Sequence, residues 1–195
     1  MKQNILIING HQVQTTSPGK LNATLVDHAK QTLEQAGLNV QTSHVDTNYD
    51  VEKEVEKFEW ADVIIWQIPA FWFNMPWGTK KYIDDVFMHG YGRIFASDGR
   101  TEENPKKGYG TGGLLNGTKY MVSMTWNAPV EAFTEPGDFF NQHSVDDVMM
   151  GTHKAFEFCG MSKLPSFECH DVMKNPNIEE DLKRWSNHLL NHIAK

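Results

Sequence analysis

A short stretch of the chain is rich in aromatic side chains, since Phe71, Trp72, Phe73 and Trp77 fall within seven residues. An apolar, β-type run precedes them, so the rings are predicted to lie at the end of a buried strand. Aromatic side chains in that position can bound a planar ring while the nearby backbone binds its polar rim. The alternative is that they fill the core, as many aromatic residues do. The first interpretation makes Ala70 and the three residues after it candidate ligand contacts.

A polar loop, residues 10–22, joins another apolar run to a helical pattern and is rich in hydroxyl, amide and glycine residues. A helix N-terminus presents unbonded N–H groups and a favourable dipole, and therefore binds phosphate well. The side chains of His11, Ser17 and Asn22 add donors for a diphosphate. Ser17 or a neighbour can equally well cap the helix. The residues alone leave these two interpretations open.

A third loop, residues 125–129, offers a hydroxyl group, an amide and backbone N–H groups. Such donors suit the pyrimidine side of a flavin ring, where negative charge develops on reduction. Asn127 and Pro129 also favour an ordinary turn. The coincidence of three polar or aromatic loops favours a planar cofactor that carries phosphate.

Apolar, β-branched runs alternate with segments of helical periodicity and must position these loops. The predicted strands are residues 4–8, 39–45, 62–66, 119–124 and 166–170. The predicted helices are residues 21–36, 51–60, 76–87, 153–159 and 178–193. This α/β alternation predicts a doubly wound, five-stranded parallel sheet, and we choose the flavodoxin-like order 2-1-3-4-5 in a single domain, residues 1–195. Ligands of such sheets bind beyond the carboxyl ends of strands 1, 3 and 4, where the three loops follow.

Residues 88–117 interrupt the alternation with many glycines, few aliphatic residues and several charges. Long loops within a domain are usually functional, so we expect a short hairpin or a lid. The run Tyr109-Gly-Thr-Gly-Gly113 does not follow a buried strand and is interpreted as a flexible loop. The first loop lacks the G-x-G-x-x-G motif, which disfavours a dinucleotide bound there in the Rossmann manner.

Charge and cysteine content exclude other classes of function. The net charge is −7 without a basic stripe, which argues against a nucleic-acid partner. The N-terminal apolar run of four residues is too short for a secretory signal or a membrane span, so we expect a cytoplasmic protein with no membrane insertion. Cys159 and Cys169 are then expected to be reduced packing residues. No metal site is predicted, because cysteines and histidines lack the paired spacing of zinc ligands.

Several segments together resemble the NAD(P)H:quinone oxidoreductases of flavodoxin-like fold, most closely the bacterial modulator of drug activity B branch. The resemblance runs nearly end to end. Its most specific segments are Ile7-Ile-Asn-Gly10, Leu21-Asn22, residues 69–77, Lys81-Tyr-Ile-Asp-Asp-Val-Phe87, residues 91–100 and residues 125–134. In combination these are far more specific than any single short motif.

The resemblance implies a homodimeric enzyme that uses FAD to reduce quinones with NADPH or NADH. It implies cofactor contacts at His11, Ser17, Gly19, Lys20, Leu21, Asn22, Thr24, Ala70, Phe71, Trp72, Phe73, Tyr109, Thr125, Trp126, Asn127 and Ala128. The flavin carries the hydride, so no protein nucleophile is required. Tyr109 or solvent is the expected proton donor to the quinone. Donor and acceptor use one site in turn, which implies ping-pong kinetics.

Two alternatives share this fold. An FMN-dependent azo- or nitroreductase also shares the mechanism, and the identity of the bound flavin distinguishes it. The other is a flavodoxin-like electron carrier without nicotinamide activity. Flavodoxins are shorter and lack the excursion at residues 88–117, which argues against the carrier.

Overall fold

The computed structural model describes residues 3–194, in which strands and helices alternate along the chain. The strands in this range are β1 Asn4–Asn9, β2 Asn39–His44, β3 Val63–Pro69, β4 Lys119–Thr125, β5 Ser162–Lys163 and β6 Phe167–Cys169. The helices in the same range are α1 Lys20–Gln35, α2 Val51–Trp60, α3 Trp77–His89, α4 Glu131–Thr134, α5 Val145–Val148, α6 Met150–Phe158 and α7 Ile178–His192. The long elements match the predicted ones closely, whereas α4 and α5 were not predicted.

The strands form one parallel sheet with the order β2-β1-β3-β4-β5, and β6 also pairs with β4. The register places Asn4 beside Asn39 in the first pair and Pro69 beside Thr125 in the third. Every residue of β3 is buried, as are all residues of β1 except the first. Burial on both faces is typical of parallel strands covered by helices. The predicted flavodoxin-like order is therefore confirmed.

The edge beside β4 differs from the prediction, because two short strands take the place of one. Lys163 of β5 pairs with Tyr120, and Phe167 of β6 pairs with Ser123. Tyr120 and Ser123 are three residues apart in β4, whereas their partners Lys163 and Phe167 are four residues apart. One extra residue therefore bulges between β5 and β6. Pro165 lies in this interval and lacks the N–H needed to continue the ladder. The predicted fifth strand corresponds to β6, and β5 is an additional strand.

Helices cover both faces of the sheet. On the face that carries α1 and α7, Trp185 packs on Phe167 with 4.6 Å between ring centroids and donates its indole N–H to the carbonyl of Leu25. On the face that carries α2, α3 and α6, Trp66 stacks on Phe156 at 4.8 Å. Burial of such large rings strongly favours the folded state. This core fixes the strand ends from which the functional loops emerge.

Residues 90–118 form neither a strand nor a helix, so the expected hairpin is absent from this part of the chain. Isolated bridges join Phe95 to Tyr91 and to Gly113. Gly113 approaches the end of α6 so closely that a Cβ atom there would lie 2.1 Å from the carbonyl carbon of Cys159. The segment has few aliphatic side chains to bury, so it cannot build an alternating ladder with an apolar face. It runs from the end of α3 to the start of β4, at the amino-terminal edge of the sheet.

A partly buried polar cluster ties α5 and α6 to the split edge of the sheet. The Asp146 carboxylate accepts hydrogen bonds from His153 Nε2 at 3.0 Å, from Ser166 Oγ at 2.6 Å and from Lys163 Nζ. The other ring nitrogen of His153 is 3.0 Å from the hydroxyl of Tyr120 in β4. His153 and Tyr120 are the buried members, and the hydrogen bond that pairs them stiffens this edge of the sheet.

Both cysteines of the chain lie in the core. Cys159 and Cys169 are free and buried, and burial raises the pKa of each thiol to about 12. Both therefore stay protonated and pack as small apolar groups. Within residues 3–194 no three His, Cys, Asp or Glu side chains are arranged to hold a metal ion. No helix in that range is long and apolar enough to cross a membrane.

Candidate active site

Three loops meet at the carboxyl-terminal edge of β1, β3 and β4, as the sheet order predicts. We define loop 1 as residues 10–19, loop 2 as residues 70–76 and loop 3 as residues 126–130. Loops 1 and 2 touch where the rings of His11 and Phe71 meet edge-on, with centroids 6.1 Å apart. At the start of loop 2, the Ala70 N–H donates to the carbonyl of Thr125, the residue before loop 3, at 2.9 Å. Residues from three distant stretches of sequence thus form one surface.

The N-terminus of α1, where loop 1 ends, is open to an anion. The helix begins at Lys20 after Gly19, with no side-chain cap and no acidic residue in its first turn. By contrast, the Asp50 side chain caps α2 and accepts hydrogen bonds from the N–H groups of Glu52 and Lys53. Uncapped N–H groups at the positive end of a helix dipole attract phosphate. This terminus therefore suits the diphosphate predicted from the sequence.

Gly19 and His11 fix the shape of loop 1. Gly19 has φ 81°, and a Cβ atom there would lie 2.3 Å from Nδ1 of His11. His11 is buried, and its Nε2–H donates to the carbonyl of Ser17 at 3.0 Å. Burial lowers the pKa of His11, while the hydrogen bond to Ser17 opposes that shift. His11 is thus a neutral brace beneath the loop, and its contact with a diphosphate stays a prediction.

The other predicted contacts on α1 differ in their surroundings. Lys20 and Thr24 are exposed, and the Thr24 hydroxyl donates to the Lys20 carbonyl at 2.9 Å. Leu21 is half-buried against the apolar cluster beneath α1. Ser17 is half-buried, beside the ring of His11. Their roles as cofactor contacts stay predictions, and of these four only Lys20 and Thr24 are exposed.

A buried polar chain beneath the site ties α1 to the two central strands. Gln67 donates from Nε2 to Oδ1 of Asn22 at 3.0 Å and accepts from the Ser123 hydroxyl at 2.7 Å. Asn22 in turn donates to the Thr125 hydroxyl at 3.3 Å. Sequence reasoning missed Gln67 and Ser123, although a glutamine within the apolar run of β3 is a visible signal. Through these hydrogen bonds, Asn22 and Thr125 fix the position of loop 1 relative to loops 2 and 3.

Loop 2 contains a tight turn in which two aromatic residues adopt an unfavourable backbone conformation. Phe71 and Asn74 exchange N–H···O bonds of 2.8 and 3.1 Å around Trp72 and Phe73. The two central residues have φ 50° and 66°, the left-handed region that glycine and asparagine adopt more easily. This costs roughly 1–2 kcal/mol per residue. Trp72 is 92% exposed, so its own packing does not offset the cost. Strain combined with exposed aromatic surface marks a ligand-binding segment.

Loop 3 presents backbone rather than its largest side chain. The Trp126 indole lies in the core, 5.1 Å from Phe133 between ring centroids, and its backbone N–H donates to the carbonyl of Cys169. Asn127 is exposed and Ala128 half-buried, and neither backbone N–H is bonded to any part of residues 3–194. These two N–H groups are available to a polar ring edge. A cofactor contact by Trp126 stays a prediction.

Tyr109 lies at the other end of the sheet from the three loops. Its ring packs on Phe158 with centroids 5.6 Å apart, and the guanidinium of Arg100 lies 5.5 Å from its centroid. Phe158 ends α6, just before β5 pairs with the start of β4. The three loops lie at the opposite, carboxyl-terminal edge of the sheet, roughly 20 Å away along β4 at about 3.3 Å per residue. The fold therefore does not bring Tyr109 to the loops of its own chain.

The arrangement fits a cofactor with a phosphate group and a planar, polar-edged ring. The α1 terminus supplies N–H donors for phosphate. Loop 2 supplies exposed aromatic surface, and loop 3 supplies two unbonded N–H groups for a ring edge. Gly19 lets the backbone of loop 1 pack directly on the ring of His11, where a Cβ atom would lie 2.3 Å from Nδ1, and so fixes the path of the chain into the α1 terminus. A flavin nucleotide combines these features.

Comparisons with known proteins agree with this geometry. A family described as flavodoxin-like fold matches residues 3–189. NADPH:quinone oxidoreductase MdaB of Haemophilus influenzae is 50% identical over 186 residues, which span 95% of this chain and 97% of that protein. A solved Klebsiella pneumoniae structure, named as a candidate quinone reductase, has a TM-score of 0.78 at 22% identity, covering 96% of this chain and 84% of its own. General stress protein 14 of Treponema denticola, solved with FMN, has a TM-score of 0.67 at 21% identity, covering 97% and 96%.

The two solved structures support the fold alone, because their identities to this chain are low. The Haemophilus relative is similar along nearly its whole length, which confirms the resemblance to the modulator of drug activity B branch. With the family match covering residues 3–189, the chain belongs to the family of flavodoxin-like fold.

Proposed function

We propose that this protein is a cytoplasmic, FAD-dependent NAD(P)H:quinone oxidoreductase that transfers two electrons per turnover. The observation that carries the proposal is the strained aromatic turn of loop 2 beside the uncapped N-terminus of α1. The turn offers a surface for a ring and the helix offers N–H groups for phosphate, and a flavin nucleotide needs both. The half-identical relative is named as an NADPH:quinone oxidoreductase, which supports the same activity here.

Bound flavin supplies the redox chemistry, by accepting a hydride from reduced nicotinamide and passing it to a quinone. The residues of the chain bind and orient the reactants. The first turn of α1 would hold the diphosphate, Trp72 and Phe73 would flank the ring, and the N–H groups of Asn127 and Ala128 would donate to the edge where negative charge accumulates. Nicotinamide and quinone share one face in turn, so parallel double-reciprocal plots are expected. Intersecting plots would contradict alternate occupancy.

An FMN-dependent azo- or nitroreductase is the second candidate, because a structural neighbour was solved with FMN. Both flavins have the same ring and a phosphate, so the three loops accept either. The resemblance to the modulator of drug activity B branch favours FAD. Flavin released by heating the purified protein should therefore co-elute with FAD on chromatography. FMN alone would refute FAD dependence, and a flavin that no nicotinamide reduces would indicate an electron carrier.

A homodimer is part of the proposal, because an apolar groove between α3 and α6 is open to solvent. Its volume is about 1070 Å³, with Trp77 near loop 2 at one end and Phe95 and Phe158 at the other. Trp77 and Met88 on this face are both exposed. Exposed apolar surface of this extent marks an interaction site.

A two-fold axis across this groove would exchange its two ends, since such interfaces are self-complementary. Tyr109, which packs on Phe158, would then approach loop 2 of the other copy and act there as proton donor. Light scattering should give twice the mass of one chain, and Met88→Glu should give monomers with little quinone reduction. A fully active monomer would refute both the dimer and the role of Tyr109 across it.

A further inference from the structure

A turn that follows α4 packs against loop 2 and adds a further exposed aromatic side chain to it. We call residues 135–143 the Phe139 turn. The rings of Phe73 and Phe139 are stacked, with centroids 5.2 Å apart and an interplanar angle of 29°. Phe139 nevertheless remains 72% exposed. Packing in the core therefore does not explain why such a large ring is held at this position.

The neighbouring Phe140 anchors the turn in the core. Its ring stacks on Phe133 with centroids 4.0 Å apart and meets Trp126 edge-on at 5.9 Å. Stacked and edge-on pairs of this kind stabilise by more than their buried area. Because the two phenylalanines are adjacent, the inward position of Phe140 leaves Phe139 on the outer side, against Phe73.

The backbone of the turn is constrained as well. Asn141 and Gln142 have φ 46° and 66°, in the left-handed region. The Asn141 N–H donates to the carbonyl of Asp138 at 2.8 Å, and its side-chain oxygen accepts the Gly137 N–H at 3.2 Å. A glutamine in this conformation is uncommon and persists only where the surroundings hold it. The location of Phe139 is therefore set by the backbone in addition to its ring contact.

We propose that Phe139, stacked on Phe73, forms an aromatic wall of the acceptor site and selects flat ring-shaped acceptors. The inference rests on the proposed function, in which loop 2 holds the flavin ring. An acceptor must come close to that ring, and it then lies beside the exposed surface of Trp72, Phe73 and Phe139. Offset or edge-on contact with these rings favours a planar quinone over a compact, non-aromatic oxidant.

Charge on the same turn adds a second selection. Glu135 and Asp138 are exposed, and neither forms an ion pair with any residue in the range 3–194. Their charges act over about 8 Å at physiological ionic strength. They repel an anionic acceptor that approaches Phe139 and leave a neutral one unaffected. Neutral quinones are therefore the class of acceptor that this wall favours.

The test compares Phe139→Ala with Phe139→Tyr, which keeps a ring, and with Leu190→Ala, which removes an exposed apolar side chain from α7. Each oxidised, flavin-loaded protein is titrated with 1,4-naphthoquinone and with its 2-sulfonate in the absence of nicotinamide. Binding is followed by the change in flavin absorbance. Values of kcat and KM are then measured with both quinones and with ferricyanide.

For Phe139→Ala we expect the naphthoquinone Kd and KM to rise roughly two- to tenfold, as for the loss of one aromatic contact. The ratio of kcat/KM for naphthoquinone to that for ferricyanide should fall. Phe139→Tyr should restore both quantities, and Leu190→Ala should match the wild type. Unchanged naphthoquinone binding in Phe139→Ala, or an equal loss with ferricyanide, would overturn the inference.

A double variant tests the charge independently of the ring. Replacing Glu135→Gln together with Asp138→Asn should raise kcat/KM for the sulfonate relative to naphthoquinone, and an unchanged ratio would overturn the charge selection. Failure of the proposed function has a different signature. In that case the wild-type protein itself would not reduce naphthoquinone, whatever residue stood at position 139.

Discussion

Replacing Trp72 with glycine should stabilise the flavin-free protein and weaken its affinity for flavin. Trp72 has φ 50°, and this left-handed conformation costs a non-glycine residue roughly 1–2 kcal/mol. Its side chain is 92% exposed, so little buried apolar surface is lost on replacement. Glycine gains freedom in the unfolded chain, which offsets about 0.5–1 kcal/mol of the relief. The net increase in the free energy of unfolding is therefore about 0.5–1 kcal/mol.

An increase of this size corresponds to a rise in Tm of roughly 1–4 °C for a chain of this length. Circular dichroism melts of the flavin-free protein measure it. Loss of one ring contact should weaken flavin binding by about 0.5–1.5 kcal/mol, or roughly two- to tenfold in Kd. Quenching of flavin fluorescence on binding measures that Kd.

Trp77→Gly is the matched control, because Trp77 is 67% exposed but begins the right-handed helix α3. It carries no left-handed strain, so glycine there should lower Tm. A fall in Tm for Trp72→Gly similar to that of the control would refute the strain argument. A rise in Tm with an unchanged flavin Kd would show that loop 2 does not hold the ring.

Three further predictions concern other parts of the molecule. Gly19→Ala should lower the free energy of unfolding by about 1–3 kcal/mol and weaken flavin binding, because its Cβ would lie 2.3 Å from His11; denaturant titration that shows no loss would contradict this. Tyr109→Phe should lower quinone turnover several-fold with flavin still bound, and unchanged turnover would remove Tyr109 from the mechanism. Burial alone would raise the pKa of Asp146, but hydrogen bonds from its three side-chain partners lower it overall. The lowered pKa stabilises the folded protein while Asp146 is ionised, and this contribution is fully present only above the pKa of the unfolded chain, about 3.9. The difference in free energy of unfolding between wild type and Asp146→Asn should therefore shrink as pH falls below about 4. A difference that does not change with pH in denaturant titrations would contradict this prediction.

The parallel sheet was predictable because its central strands carry strong, simple patterns. The continuous apolar run of β3 identifies a strand buried on both faces, and Gly37 marks the end of α1. Once strands and helices alternate, the handedness of crossovers leaves few topologies. The three loops at the carboxyl edge follow from that topology, so their meeting was predictable as well.

The details of the site were not predictable, because they depend on tertiary contacts. Nothing in the residue types indicates that Trp72 and Phe73 adopt a left-handed turn, which usually selects glycine or asparagine. The inward packing of Trp126 depends on Phe133, which belongs to a helix too short to predict. The position of Tyr109 depends on the irregular path of residues 90–118, which no local pattern determines.

The most direct test of the proposed activity is an anaerobic titration of the purified, flavin-loaded protein with NADPH, followed by addition of a quinone. We expect the visible absorbance of the flavin to bleach with stoichiometric NADPH, because each nicotinamide delivers two electrons. It should then return with stoichiometric quinone, because the acceptor removes the same two electrons. Absorbance that persists after both NADPH and NADH are added would contradict the reductase activity.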